Sequence, residues 1–338
     1  MRVDDKLYVG LDYHQESVQI CVLDQRGTVI RNRKVANNAA DVAAAVSPTG
    51  TPPHAAIEAC CGSSDLAEEL VARYGWSVDL AHPGYVARLK QAPDKTDLSD
   101  ARLLADLVRV GYLPKVWLAP EWIRELRRLT RYRQQLVNER RNIKLRIGAL
   151  LREQRVHSPK VGRWTKLWVA WLRNCDEVSV QSRWLIDRHL ARHALLCDEI
   201  AVVERRLDEV TRGDALTRSI LALPGVGLTT ACVLRAEIGR FDRFRTGKQL
   251  ARFCGLSPRN ASSGARQADA GLVKAANANL RVALIETSHR LIRYDTRWRE
   301  LAQRLRAAGK PTSVIAPAVG NRWMRWLFHY INHGVAAA

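Results

Sequence analysis

Four carboxylates in the first hundred residues of this 338-residue chain stand where a charge has to be accounted for. Asp12 closes the strand-like run Leu7-Tyr-Val-Gly-Leu-Asp-Tyr13, with Tyr8 and Gly10 on its side of the pleat. Glu58 lies in Ala55-Ala-Ile-Glu-Ala59, which reads as a buried strand. Asp97 and Asp100 sit three residues apart in Asp94-Lys-Thr-Asp-Leu-Ser-Asp-Ala101. Each has an ordinary use: Asp97 and Asp100 suit an N-cap and a first-turn acid matching a helix dipole, and Asp12 suits a strand-end turn. Glu58 resists such a reading, because a carboxylate in an apolar strand is costly unless paired or bound to a cation. Acids on a first strand, a central strand and a later helix can converge at one edge of a sheet. Such oxygen ligands bind Mg²⁺, which neutralises charge on a phosphoryl group and holds attacking and leaving oxygens in line. The chemistry this pattern suits is phosphodiester cleavage or transfer.

The elements that must position these acids follow from periodicity. Strands over 7–13 and 17–24, a turn at Gln25-Arg-Gly27 and a strand over 28–35 make a meander. A buried strand at 55–59, a helix over about 64–74 and a strand at 76–81 complete a mixed sheet flanked by helices. From about residue 120 the strand signals stop. Residues 121–153 carry Leu126, Leu129, Leu136, Ile143, Ile147 and Leu150 at helical spacing among arginines. A second helical stretch over about 182–211 repeats the pattern, and the two are expected to pair as an antiparallel coiled-coil hairpin around a Trp-rich connector. A third segment opens near Asp214 and contains Leu221-Ala-Leu-Pro-Gly-Val-Gly-Leu-Thr-Thr-Ala231. Its turn at Gly225 and Gly227 frees backbone N–H groups at a helix start, where a phosphate can be held; the alternative is simply a tight turn between helices. The expected domains are therefore 1–118, 119–213 and 214–338.

The charge balance points to a polyanion: 54 Lys and Arg against 34 Asp and Glu give +20. Residues 121–173 hold 15 Lys and Arg against 4 Asp and Glu, a net +11, so over half the excess lies there. A solvated helix face is the ordinary reading of such a run, but one stabilised by alternating pairs would carry matching acids. Arg128, Arg131, Arg140, Arg141 and Lys144 are accordingly candidates for phosphate contact. Trp164, Trp168 and Trp171 at i, i+4, i+7 read as helix packing in preference to base stacking. No stretch approaches the roughly 18 apolar residues of a membrane span, and no signal peptide opens the chain, so a cytoplasmic protein is expected. Seven cysteines without a C-x-x-C spacing argue against a disulfide framework or zinc ribbon and suit small buried residues. His189 with His193, and His329 with His333, lack a third ligand for zinc.

Gly10-Leu-Asp-Tyr-His14, Ala56-Ile-Glu-Ala59 and Lys95-Thr-Asp-Leu-Ser-Asp-Ala101 resemble the DEDD tetrad of the insertion-sequence "one-hundred-ten" transposase family, relatives of the pilin-gene invertases. Leu223-Pro-Gly-Val-Gly227, Ile238-Gly-Arg-Phe241, Gly255-Leu-Ser-Pro258, Ser262-Ser-Gly264 and residues 274–281 resemble, in order, the family's second region. The resemblance implies an α/β RuvC-like, ribonuclease-H-like N-terminal domain, an antiparallel coiled coil and an all-α C-terminal domain that supplies a catalytic serine. The tetrad maps onto Asp12, Glu58, Asp97 and Asp100 as Mg²⁺ ligands. The nucleophile maps onto Ser263, with Ser262 as second choice; without the resemblance both serines read as ordinary turn residues. Ala276 departs from the pattern, since relatives often place glycine before Asn277. Arg259, Arg266 and Arg281 flank the motif as phosphate clamps, although each alone suits a surface.

The implied activity is cutting and rejoining of donor and target DNA through a phosphoserine intermediate, which conserves bond energy for resealing. A noncoding bridge RNA is the implied guide, and a homodimer assembling to a homotetramer the implied assembly. Two rivals remain at this stage. One is a Holliday-junction resolvase or nuclease using water as nucleophile; the other is a basic architectural or RNA-binding protein whose acids are structural.

Overall fold

A computed structural model describes residues 6–46, 52–90, 96–260, 269–273 and 276–334, in two compact units divided between Glu121 and Trp122. In the first unit β1 (Tyr8–Tyr13), β2 (Ser17–Leu23) and β3 (Val29–Ala36) form an antiparallel meander. The β2–β3 turn closes because Asp24 Oδ1 accepts the Arg26 and Thr28 N–H groups, each at 2.8 Å. The chain then passes through α1 (Ala39–Val46) to β4 (His54–Glu58), which pairs parallel to β1. It continues through α2 (Ser63–Tyr74) to β5 (Ser77–Ala81), parallel to β4. After α3 (Pro83–Leu89) and α4 (Asp97–Arg109), the two-residue β6 (Lys115–Val116) pairs antiparallel with β5. The resulting order is β3-β2-β1-β4-β5-β6.

Period-two alternation divides the sheet into two faces. Val9, Leu11, Ile20 and Ile57 share a core with Val42 of α1 and Leu66 and Leu70 of α2. On the other face Ala56 packs with Leu104 and Val108 of α4, and Cys21 and Leu23 with its Ala101 and Ala105. The edge strand β3 is largely exposed and carries Arg31, Arg33 and Lys34, charges that discourage pairing with another sheet. Gly10 sets the distance between β1 and α4: a Cβ there would lie 1.8 Å from the Ala101 carbonyl oxygen. Only glycine lets the helix backbone lie this close to the strand.

The second unit is built on α5 (Glu121–Glu153) and α7 (Val180–Thr211), joined through α6 (Lys166–Arg173). Leu136, Ile143, Ile147 and Leu151 of α5 bury against Ile186, Leu190, Ile200 and Leu207 of α7. The direction is antiparallel: Arg133 pairs with Glu204 at 2.6 Å, Arg192 with Glu139 at 3.3 Å, and Gln154 Nε2 donates to Ser179 Oγ at 2.8 Å. Cys232 and Ala236 join the same core, so the base of the hairpin and the helices that follow are continuous. Those helices are α8 (Ala215–Leu221), α9 (Leu228–Ile238) and α10 (Gly247–Phe253). Beyond them lie α11 (Ala278–Tyr294), α12 (Thr296–Ala307) and α13 (Thr312–His333), closed around Leu234, Leu250, Leu284 and Trp323.

The helical reading of this region needs one addition. A short antiparallel pair, β7 (Pro258–Asn260) and β8 (Asp269–Leu272), interrupts the helices, and strands this brief leave no period in the sequence. Among the described residues no helix is long and apolar enough to cross a membrane.

Candidate active site

The parallel register of β1 and β4 sets Leu11 opposite Ile57. Asp12 and Glu58 are the next residues on each strand and therefore stand side by side at the carboxyl end of the sheet, on the face that carries Gly10 and Ala56. The first turn of α4 brings two further acids to that end. Thr96, not Asp97, is its N-cap: the Thr96 hydroxyl accepts the Ser99 N–H at 3.2 Å in a capping box. Asp97 and Asp100 are thereby free of the capping role and lie in the first turn. His14, in the β1–β2 turn, places Nε2 3.3 Å from Asp12 Oδ2 and 3.4 Å from Asp97 Oδ1. Ligand atoms of Asp12, His14 and Asp97 all lie within 4.8 Å of one another, the one such three-residue group among the described residues.

Basic side chains offset this concentration of charge. Lys90 Nζ reaches the buried Asp100 at 2.7 Å, and Lys34 on β3 approaches Asp97 at 3.9 Å. Glu58 is half-buried at the end of its strand, and its side chain has no hydrogen bond or ion pair among the described residues. Burial pushes the Asp12 carboxyl above its ordinary range; His14 counters this, while Asp100 and Asp97 push it further up. A carboxylate so disfavoured in its charged form, beside two like charges, is a place where a cation relieves strain. The hard oxygens of Asp12 and Asp97 fit Mg²⁺, and the single imidazole does not make a zinc set; Glu58 and Asp100 lie outside this three-residue group.

His14, Lys34 and Lys90 were not evident as site residues from sequence. His14 lies just past the end of β1, where strand alternation no longer fixes the side a residue takes. Lys34 and Lys90 reach the acids from an edge strand and from the end of α3, and nothing in their spacing announces it.

In the second unit β7 and β8 bracket residues 261–268. Ser262, Ser263 and Arg266 lie outside the described residues. The residues that follow are described from β8 onward, except 274–275. Asn277 caps α11, accepting the Leu280 N–H at 3.1 Å, and donates to Glu237 Oε2 at 2.7 Å. Glu237 is 3% exposed and takes a two-pronged bond from Arg131, at 2.9 and 3.0 Å. Burial alone would raise its pKa, but the hydrogen bonds and charge of Arg131, with Asn277 and Arg127, hold it below the usual range. Arg281 donates to the Val273 carbonyl and crowds Gly255, whose φ of +72 and contact with Ala276 leave no room for a side chain. Arg131 and Arg281 are thus taken up by contacts within the fold, to Glu237 and the Val273 carbonyl, whereas Arg259 is exposed on β7.

Of the other expected phosphate contacts, Arg128 and Arg141 are exposed, Arg140 leans on Cys197, and Lys144 lies 4.8 Å over the Trp164 ring. Gly225 takes φ +76 and would meet the Leu291 nitrogen at 3.3 Å through a Cβ. Gly227 opens α9 with no side-chain cap, so the first N–H groups of that helix lack a side-chain acceptor at the cap. All seven cysteines are free, with four of them buried.

Comparison with known proteins matches two separate stretches of the chain, the first of which runs past the boundary between the two units to the end of α5. A model of DEDD-type IS110 sequences, described as "Transposase", matches residues 9–155, and one described as "Transposase IS116/IS110/IS902 family" matches 217–303. The transposase for insertion sequence element IS1328 of Yersinia enterocolitica is 24% identical over 82% of this chain and 81% of its own length. A probable family 20 transposase of Pseudomonas aeruginosa is 26% identical over 95% of each. The transposase for IS1111A of Coxiella burnetii is 25% identical over 85% of this chain and 78% of its own. The first match spans the acid cluster and the second spans Glu237, Asn277 and the Ser262-Ser-Gly264 stretch of the sequence.

Proposed function

Because this chain is an insertion-sequence transposase of the IS110 family, we propose that it cuts and rejoins DNA with a carboxylate metal site in its first unit and a serine nucleophile in its second. The observation that carries the reading is the convergence of Asp12 and Asp97 around His14, from a strand and a distant helix. Asp12, Glu58, Asp97 and Asp100 would hold Mg²⁺, which when bound neutralises charge developing on the phosphoryl oxygens. The N-terminal unit is read as RuvC-like, supported by a meander followed by two parallel crossovers with acids at the sheet's carboxyl end. The pairing of α5 with α7 is read as the family's coiled coil.

In the proposed reaction the Ser263 hydroxyl attacks a backbone phosphorus, passing its proton to a nearby base, and the bond to the departing strand's oxygen breaks. The serine phosphodiester keeps that bond energy. A strand-end hydroxyl from the partner DNA then attacks the same phosphorus and restores the serine. Gly225 and Gly227 at the start of α9, with Arg259, Arg266, Arg128 and Arg141, are assigned to the DNA backbone. A bridge RNA would choose the sequence by base pairing, four copies of the chain would cut the strands in register, and the reaction belongs to the cytoplasm, where the DNA is.

The decisive experiment traps the adduct. Denaturing gels of protein incubated with labelled element ends and Mg²⁺ should carry a covalent band that Ser263→Ala abolishes while Ser262 is intact. Cleavage that persists in Ser263→Ala without an adduct assigns attack to water and removes the serine from the chemistry. Strand transfer unchanged in both Asp12→Asn and Glu58→Gln removes the metal site.

A further inference from the structure

The connector between α5 and α7 encloses a cavity that the cutting chemistry does not use. Its volume is about 610 Å³, and its walls include Lys144, Arg152, Arg155, Arg163, Trp164 and Trp168. That volume lies within the range of sites that take a small organic group. Residues 140–166 carry nine Lys and Arg against Glu153 alone, a net +8. At the other end of the hairpin Arg133 is answered by Glu204 of α7 and Arg131 by Glu237 of α9. At the connector Arg152, Arg155 and Arg163 are exposed and have no ion pair among the described residues.

A second, independent feature concerns the aromatic wall. Trp168 is 2% exposed, yet its indole Nε1–H has no hydrogen-bond partner among the described residues. Native folds rarely leave a buried donor unanswered, and such a donor suits an acceptor brought by a ligand. Trp164 takes φ +68, a left-handed backbone that a bulky residue seldom adopts, with His193 stacked at 4.9 Å and 18° and Lys144 over the ring. Arg155 is also left-handed, at φ +57.

We infer that this cavity receives one unpaired nucleotide of a nucleic-acid strand. Arg152, Arg155 and Arg163 hold the phosphodiester, and the base enters beside Trp164 and offers an acceptor to the Trp168 N–H. A bare phosphate would leave the indole unmet, and a duplex keeps its bases stacked and out of reach. The nucleotide class rests on the transposase reading; the site itself does not depend on the cutting mechanism.

The test uses full-length Asp12→Asn protein without added metal, so that binding is read whether or not the proposed chemistry holds. Short single strands carrying 5-iodouracil, one of DNA and one of RNA, should photo-crosslink to the peptide holding Trp164 and Trp168. The strand that crosslinks more identifies the natural source. Changing Arg152, Arg155 and Arg163 together to alanine should flatten the log-log salt dependence of single-strand binding by about 2, at about 0.7 per lost contact. Thermal unfolding of that variant should match the parent's. Trp168→Phe should weaken binding roughly three- to tenfold, the worth of one hydrogen bond, and leave binding of a strand with an abasic site unchanged. Crosslinks mapping elsewhere, an unchanged salt slope in the triple variant, or equal loss on intact and abasic strands would each overturn the inference.

Discussion

Gly10→Ala offers the sharpest test of how the acid cluster is assembled. The added methyl carbon would sit 1.8 Å from the Ala101 carbonyl oxygen and 2.6 Å from the Ala105 nitrogen, where real contacts do not fall below 3.0 Å. Both obstructing atoms are backbone, so no rotamer change absorbs the clash. Relief from 1.8 to 3.0 Å requires α4 to move off the sheet by at least 1.2 Å near Ala101. Asp97 rides on the same helix one turn before Ala101 and Asp100 directly precedes it, so the 3.4 Å approach of Asp97 to His14 opens with it. Overpacking of this kind costs about 1–3 kcal/mol of stability. A displacement near 1 Å at reacting groups costs on the order of a hundredfold in rate. Strand-transfer rates at saturating Mg²⁺ and thermal unfolding should fall together by these amounts. Gly84→Ala is the control, because its Cβ would meet His82 at an ordinary 3.4 Å. If Gly10→Ala instead melts and recombines like the parent, α4 is not what locates the acids, and the convergence argued from β1, β4 and α4 loses its basis.

Four further outcomes follow from the same contacts. Asp12→Asn should raise the melting temperature of metal-free protein at neutral pH while abolishing strand transfer: a carboxyl whose pKa is raised by folding penalises the fold once pH exceeds its ordinary value of 3.8, and a lower melting temperature would contradict this. Lys90→Met leaves Asp100 without its 2.7 Å partner, so metal-free stability should drop, and calorimetry should register a larger stabilisation by added Mg²⁺ than in the parent. Glu237 and Asp214 have pKa values held low in the fold, chiefly against burial, by Arg131 and Arg235 respectively; the stability they supply is present above the ordinary carboxylate range and is lost as pH falls through their depressed values. Melting temperature should therefore be level near neutrality and decline below about pH 5, and charge-neutral Glu237→Gln should flatten that decline. In a native alkylation assay read by mass spectrometry, exposed Cys60 and Cys61 should label first, and buried Cys21, Cys232 and Cys254 only after unfolding.

Periodicity revealed most of what holds the site. Asp12 shares a pleat face with Gly10, as two-residue alternation requires, and α5 runs from Glu121 to Glu153, as its apolar spacing predicts. The helix over 39–46 escaped notice because its alanine-rich run has no polar face to mark a period, and β6 is two residues long. The cap of α4 went to Thr96 because Ser99 completes a reciprocal box with it, a choice local composition left open beside Asp97. Counterions were harder, since Lys34 and Lys90 meet the acids only after the sheet has formed. Part of the arginine surplus on α5 looked unmatched because its acids lie far along the chain, Glu204 of α7 for Arg133 and Glu237 of α9 for Arg131. The serine motif was distinguished by family resemblance alone; nothing in Asn260-Ala-Ser-Ser-Gly264 separates it from an ordinary turn.

The uneven answering of charge along the hairpin has a mechanical meaning. A helix of 33 residues is a rod of about 50 Å; where α5 is rooted Glu204 of α7 answers Arg133, and where it turns back the connector adds Arg155, Lys160, Arg163 and Lys166 to its own cations. In the field of a polyanion such a hairpin experiences a torque before it experiences contact, since the force is larger at the end that turns back. Approach and alignment become one event, and raising the ionic strength should slow docking by blurring orientation as well as by weakening attraction.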